Sequence, residues 1–178
     1  MRINKKYILI LCMASTIYIT WCSQTYTSQI TFDKYSITLN TTSTGFYEIQ
    51  NKNNLNEEKI FVPYNTTWFI DSVLIRRDKD SGISLEKLAD MNQEKDKRKL
   101  PGFSKKGAEE RSFMCGQQEI SWYEIAYTID AITPGETMYF NQYFFKAQDN
   151  IYSISTSTQE KSKNKQFNNA IKSLQCNQ

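Results

Sequence analysis

The chain opens on a basic start, Arg2, Lys5 and Lys6, followed by an apolar run from Tyr7 to Cys22 broken only by Ser15, Thr16 and Thr20. A core helix is amphipathic; this run has no polar face, and its order matches a secretory signal. It is shorter than the roughly 20 residues that span a bilayer. Residues 1–22 are therefore expected to be a signal peptide, 23–29 a polar tether and 30–178 a single α+β domain. Within that domain Ile30–Leu39 and Gly45–Asn51 are rich in Thr, Tyr, Ile and Phe and read as strands, with a turn at Ser43-Thr44-Gly45. Lys59–Tyr64 and Thr67–Arg76 follow as strands. The second is apolar on both faces (Phe69, Val73 and Ile75 against Trp68, Ile70 and Leu74), which predicts a central strand covered on both sides.

The period then changes. Ser84 can cap a helix starting at Leu85, with Glu86 in its first turn and Leu85, Leu88, Ala89 and Met91 on its apolar side. Residues 92–99 are almost wholly charged, and Leu100-Pro101-Gly102 is a stop. The pattern thus predicts that the helix dissolves into a mobile charged loop, 92–111. Three strands come next: Ile120–Ile132, with Arg111–Cys115 read as the start of this first one, Met138–Ala147 and Ile151–Thr158, the last two forming a hairpin about Gln148-Asp149-Asn150. In the first of them Tyr123, Ile125, Tyr127 and Ile129 face one way, and Trp122, Glu124, Thr128 and Asp130 the other. A final helix, capped by Ser162 or Asn164, carries Phe167, Ala170, Ile171 and Leu174 at i, i+3, i+4 and i+7.

The C-terminal part resembles a known family. Tyr139-Phe140-Asn141-Gln142-Tyr143-Phe144-Phe145, then Asp149-Asn150-Ile151-Tyr152-Ser153-Ile154-Ser155-Thr156-Ser157, then Phe167-Asn168-Asn169-Ala170-Ile171-Lys172-Ser173-Leu174, resemble the closing strands and helix of the PsbP/Mog-type α/β/α sandwich. Ser84-Leu85-Glu86-Lys87-Leu88-Ala89 is similar to that family's first helix. A Pro-Gly-Trp after the first strand is lacking. The resemblance implies an antiparallel sheet with helices packed on it; a cystatin-like α+β fold is the alternative. It implies a binding, assembly or chaperone role and brings no catalytic residues.

Composition narrows the chemistry. The chain has 178 residues, 39% hydrophobic and 13% aromatic, too apolar for a disordered chain. It has no histidine, which removes His-based general bases, Ser-His and Cys-His hydrolases and His-ligated metals. The formal charge of +3 comes from 22 basic and 19 acidic residues. Residues 1–22 hold three of the basic and none of the acidic ones, so the remainder balances. A basic nucleic-acid-binding face thereby loses its support.

Cys22 ends the apolar run in Ile19-Thr20-Trp21-Cys22, which looks partly like a lipobox. A bulky Trp21 stands where lipoprotein processing wants a small residue, so lipidation of Cys22, ordinary cleavage and a retained anchor all stay open. Membrane contact is expected only through this segment or a lipid on Cys22. Past the signal, Cys115 and Cys176 remain; in an oxidising compartment they are expected to pair as a disulfide, two separate buried thiols being the alternative.

No phosphate loop or dinucleotide fingerprint occurs, and no cofactor or metal is expected. Glu124 and Asp130 stand six apart on one strand, about 20 Å, too far for a catalytic dyad. The expectation is a non-enzymatic exported protein, periplasmic or membrane-anchored, that binds another protein. An immunity protein against an envelope-targeted toxin is one form of it, and a structural or assembly lipoprotein a second. A carboxylate enzyme is the rival. The expected contact residues are an exposed Trp122 with Glu124, and the loop cations Lys97, Arg98, Lys105 and Lys106.

Overall fold

The structure, a computed structural model, describes residues 26–41, 45–49, 58–64, 71–131 and 133–176. The expected signal and Cys22 lie outside these residues, as does most of the Ser43–Gly45 turn. Among the described residues ten strands form two sheets, with two helices packed on them. β1 (Tyr26–Phe32), β2 (Tyr35–Thr41) and β10 (Gln175–Cys176) form a small sheet in the order β1-β2-β10. β3 (Phe46–Ile49), β4 (Glu58–Pro63), β5 (Ser72–Lys79), β6 (Ser104–Cys115), β7 (Gln118–Asp130), β8 (Thr137–Ala147) and β9 (Asn150–Thr158) form a seven-stranded antiparallel sheet, β3-β4-β5-β9-β8-β7-β6. Helix α1 runs Leu85–Lys99 and α2 Lys161–Lys172.

The core follows from alternation along the strands. One face of the large sheet presents Val73, Ile75, Trp122, Tyr143, Phe145, Tyr152 and Ile154. These meet Ile30, Phe32, Tyr35, Ile37 and Leu39 of the small sheet and Phe167, Ala170, Ile171 and Leu174 of α2. The i, i+3, i+4, i+7 stripe of α2 is thus buried as its spacing predicts. The opposite face is covered by α1, where Leu85, Leu88 and Ala89 pack on Tyr123, Ile125 and Phe144. The layers are small sheet with α2, large sheet, then α1.

Several expectations are corrected. Residues 26–29 of the tether are strand, because β1 pairs with β2 as far as Tyr26↔Thr41. The expected strand Ile30–Leu39 is two strands of a hairpin, turned at Asp33 with φ 48°. Asp33 holds the turn in place, accepting from Tyr152 Oη at 2.7 Å and from Arg77 Nη1 at 3.1 Å. Strand β5 buries Val73 and Ile75 but leaves Leu74 half-buried and Arg76 exposed, so its second face is only partly covered. Ser84 caps α1, its Oγ accepting from the Lys87 amide at 3.2 Å. For α2 neither Ser162 nor Asn164 is the cap; Glu160 holds that position, its amide bonded to Thr158 Oγ1 at 3.1 Å.

The largest correction concerns 92–111, which is not a loop. α1 continues unbroken to Lys99, a turn spans 100–103, and β6 begins at Ser104. The inward stripe simply turns polar: Leu85 and Ala89 give way to Gln93 and Asp96, still one helical turn apart. Lys97, Arg98 and Lys99 in the last turn suit the negative end of the helix dipole. Gly102, at φ +65°, ends the turn in a conformation only glycine takes freely, and a Cβ there would lie 2.1 Å from Asp130 Oδ1.

Candidate functional site

β6 and β7 carry the expected contact residues, but on two faces of the sheet. Lys105 pairs with Tyr127 on the α1 side; Glu109 pairs with Glu124, and Arg111 with Trp122, on the side of the main core. The expected single surface joining Trp122 and Glu124 to the charged segment is therefore divided by the sheet.

Trp122 is not an exposed anchor. It is 3% exposed and stacks on Tyr143 at 5.3 Å between centroids, with Phe113 at 6.3 Å. The side opposite Tyr123 and Ile125 is the one that the small sheet and α2 cover, which strand parity alone does not reveal. Glu124 is also buried, at 9% exposure, beside a cleft of about 190 Å³ lined by Gly107, Ala108, Glu109, Glu124 and Ala126. Burial raises its carboxyl pKa, against the lowering pull of Lys172 and Arg111. Arg111 Nε stands 3.9 Å from Glu124 Oε2, and the Tyr143 hydroxyl, also next to Glu124, donates to Asn168 Oδ1 at 2.6 Å. The Tyr143 hydroxyl is held well above the ordinary phenol range by burial and by this carboxylate. Glu124, expected with Trp122 at an exposed contact face, is buried with it.

On the α1 side the helix and the start of β6 enclose a larger cleft, about 570 Å³, lined by Asp90, Gln93, Glu94, Lys97, Phe103 and Lys105. It brings together two of the expected cations, Lys97 and Lys105. Arg98 lies next to Lys97 in the last helical turn, and Lys106 donates to Ser104 Oγ at 3.2 Å at the strand start; both are exposed. Phe103 packs on Tyr127 at 4.9 Å and forms an aromatic wall. Gln93 is 7% exposed and its Nε2 has no hydrogen-bond partner among the described residues. Deeper in, Asp96 Oδ2 accepts from Tyr127 Oη at 2.7 Å and from Gln142 Nε2 at 3.2 Å.

Sequence reasoning missed Gln93, Asp96 and Gln142. The signal for the first two was present: both continue the Leu85–Ala89 stripe at helical spacing. Cys115 and Cys176 form the expected disulfide, with Cα atoms 5.2 Å apart, tying β10 to the end of β6. Among the described residues no cluster of three or more Cys, Asp or Glu is placed to hold a metal.

The layer order now meets its counterpart among solved structures. The cyanobacterial PsbP protein CyanoP from Synechocystis sp. PCC 6803 superposes with a TM-score of 0.57 at 11% identity, over 86% of this chain and 93% of its own. The chain has the PsbP fold. At that identity the likeness concerns the fold alone. Two further structures are similar at lower scores. PA94 from Pseudomonas aeruginosa has a TM-score of 0.43 at 12% identity, over 83% of this chain and 92% of that one. LpqN from Mycobacterium tuberculosis, involved in cell envelope biogenesis, has 0.49 at 12%, over 87% and 91%. No family model and no curated protein matches the sequence. The PsbP-type sandwich expected from the closing strands and helix is the fold found, in place of the cystatin-like alternative.

Proposed function

We propose that the protein is exported to the cell envelope and acts there, without catalysis, by binding another protein through the cleft between α1 and β6. The observation that carries this reading is the make-up of that cleft. A buried amide donor with no partner among the described residues, Gln93, sits beside an aromatic wall, Phe103, inside a rim of both signs: Asp90 and Glu94 against Lys97 and Lys105. A mixed-sign rim around a desolvated centre suits selection of one protein partner more than bulk attraction to lipid or nucleic acid. An immunity protein against an envelope-targeted toxin is the specific form we favour, since alternating charge rejects non-cognate partners by misplaced like charges. The export signal read from residues 7–22 supports the compartment.

Capture from the native envelope tests this reading. The chain should retain a stoichiometric protein. Lys97→Glu with Arg98→Glu, or Gln93→Leu, should weaken that complex at least tenfold, about 1.4 kcal/mol, with the fold intact by circular dichroism. A partner held equally well by these variants moves the site elsewhere. Turnover of a substrate lost in Glu124→Gln alone would replace binding with carboxylate catalysis.

A further inference from the structure

The outer edge of β6 is a second surface, which shares Lys105 with the cleft. Residues 104–112 are all exposed, and among the described residues no strand pairs with that edge. β10 meets β6 at its far end, through Cys115–Cys176. An open edge this long recruits other strands unless it is guarded, and lysines and a bulge are common guards. β6 has both, at Lys105, Lys106 and the register shift between Lys105 and Gly107. A guard alone would not need the two glutamates that follow.

The ladder shows how those charges are placed. Lys105 pairs with Tyr127 and Gly107 with the next residue, Ala126, so Lys106 is the inserted residue and shares a ladder position with Gly107. The successive positions are then Lys105, Lys106 with Gly107, Ala108, Glu109 and Glu110, with Ala108 at the centre. Two copies of β6 laid antiparallel about a two-fold axis at Ala108 set Lys105 opposite Glu110 of the second copy. They also set Lys106 and Gly107 opposite its Glu109. Directly opposed residues must share a face, and these do: Lys105 and Glu110 lie on the face of Tyr127 and Tyr123, Gly107 and Glu109 on that of Ala126 and Glu124. Moving the axis one position sets Glu109 against Glu109, or Lys106 against Lys106. The charges attract in one register and repel in its neighbours.

We propose that the chain forms a two-fold dimer by antiparallel pairing of β6 with β6 of a second copy, continuing the seven-stranded sheet across the axis. Such an axis keeps each face of the sheet on its own side, so both copies of α1 lie on one face. The dimer does not depend on the partner-binding reading; if both hold, it presents two clefts together and gains avidity for a paired target.

Sedimentation equilibrium of the purified chain, over a range of concentrations at low and high salt, tests the proposal. A dimer that dissociates on dilution and weakens with salt is expected. Lys105→Glu with Lys106→Glu should weaken it at least tenfold, as should Ala108→Pro, which removes an amide at the axis. Exchanging all four charges, by adding Glu109→Lys and Glu110→Lys, should restore it; this variant keeps the net charge of the strand, though it gives up the Arg111–Glu109 ion pair. A monomer at the highest soluble concentration overturns the proposal. So does a dimer indifferent to both the reversal and Ala108→Pro, or a folded fourfold exchange that stays monomeric.

Discussion

The hydroxyl of Tyr127, in the middle of β7, donates to the carboxylate of Asp96, in the next-to-last turn of α1, at 2.7 Å. Gln142 of β8 donates to the same oxygen at 3.2 Å. One helix residue thus fastens the charged half of α1 to two strands, and with Phe103 on the Tyr127 ring it makes the segment 92–106 part of the fold.

Removing that acceptor should be costly. Asp96→Ala leaves the Tyr127 hydroxyl, on a residue 2% exposed, still accepting from Gln142 but without the acceptor for its own proton. A stranded buried donor costs about 1–3 kcal/mol, read as a lower urea midpoint, while Asp96→Asn keeps an acceptor and should lose less. Equal stability of Asp96→Ala and the parent would deny the bond its role. By the same reasoning, replacing 92–106 with a Gly/Ser linker should abolish cooperative unfolding rather than leave the fold intact.

Glu124 should make stability fall as pH rises. Burial raises its pKa above the ordinary 4.5. Above that pH the unfolded chain releases this proton while the folded one still holds it, so the folded state binds more protons and loses stability with rising pH. The contribution is constant below the ordinary value and is lost on the way up through the raised one. Glu124→Gln should flatten this part of the profile and melt higher than the parent at neutral pH. An unchanged slope across that range would assign the effect to other groups.

The disulfide should carry a large share of stability. Cys115 and Cys176 are 61 residues apart, and closing such a loop restricts the unfolded chain by about 4 kcal/mol on the chain-entropy account. Cys115→Ser with Cys176→Ser should lower the melting temperature sharply. Thiol labelling of the denatured, unreduced protein should find neither residue reactive. Two reactive thiols would mean the bridge does not form in the cell.

Export is checked at the N-terminus. Mass spectrometry of protein recovered from its native source should find it beginning at Cys22 or Ser23, and a diacylglycerol-sized increment on Cys22 marks lipidation. An intact Met1 on cytoplasmic protein would defeat the envelope reading.

Local signals fixed much of this protein from sequence. Gln148-Asp149 turned the last hairpin, Ser84 capped α1, the Phe167–Leu174 stripe seated α2, and Cys115 and Cys176 met as a bridge. Each depends on neighbours in the chain or on a periodicity that burial requires. What the sequence left undecided depended on which surface each face would meet. Trp122 and Ile125 stand on opposite sides of β7, and parity separates them without saying which side the small sheet and α2 will cover. The same holds for α1 beyond Ala89: Gln93 and Asp96 read as solvated because polar residues usually are. Asp96 is inward because Tyr127 and Gln142, 31 and 46 residues further along, bring polar partners to meet it, and Gln93 lies on the same inward stripe one turn earlier. β6 as far as Arg111 likewise reads as a loop because an edge strand buries little and so tolerates charge on both faces. Only its pairing with β7, which supplies the backbone hydrogen bonds, makes those charged residues a strand.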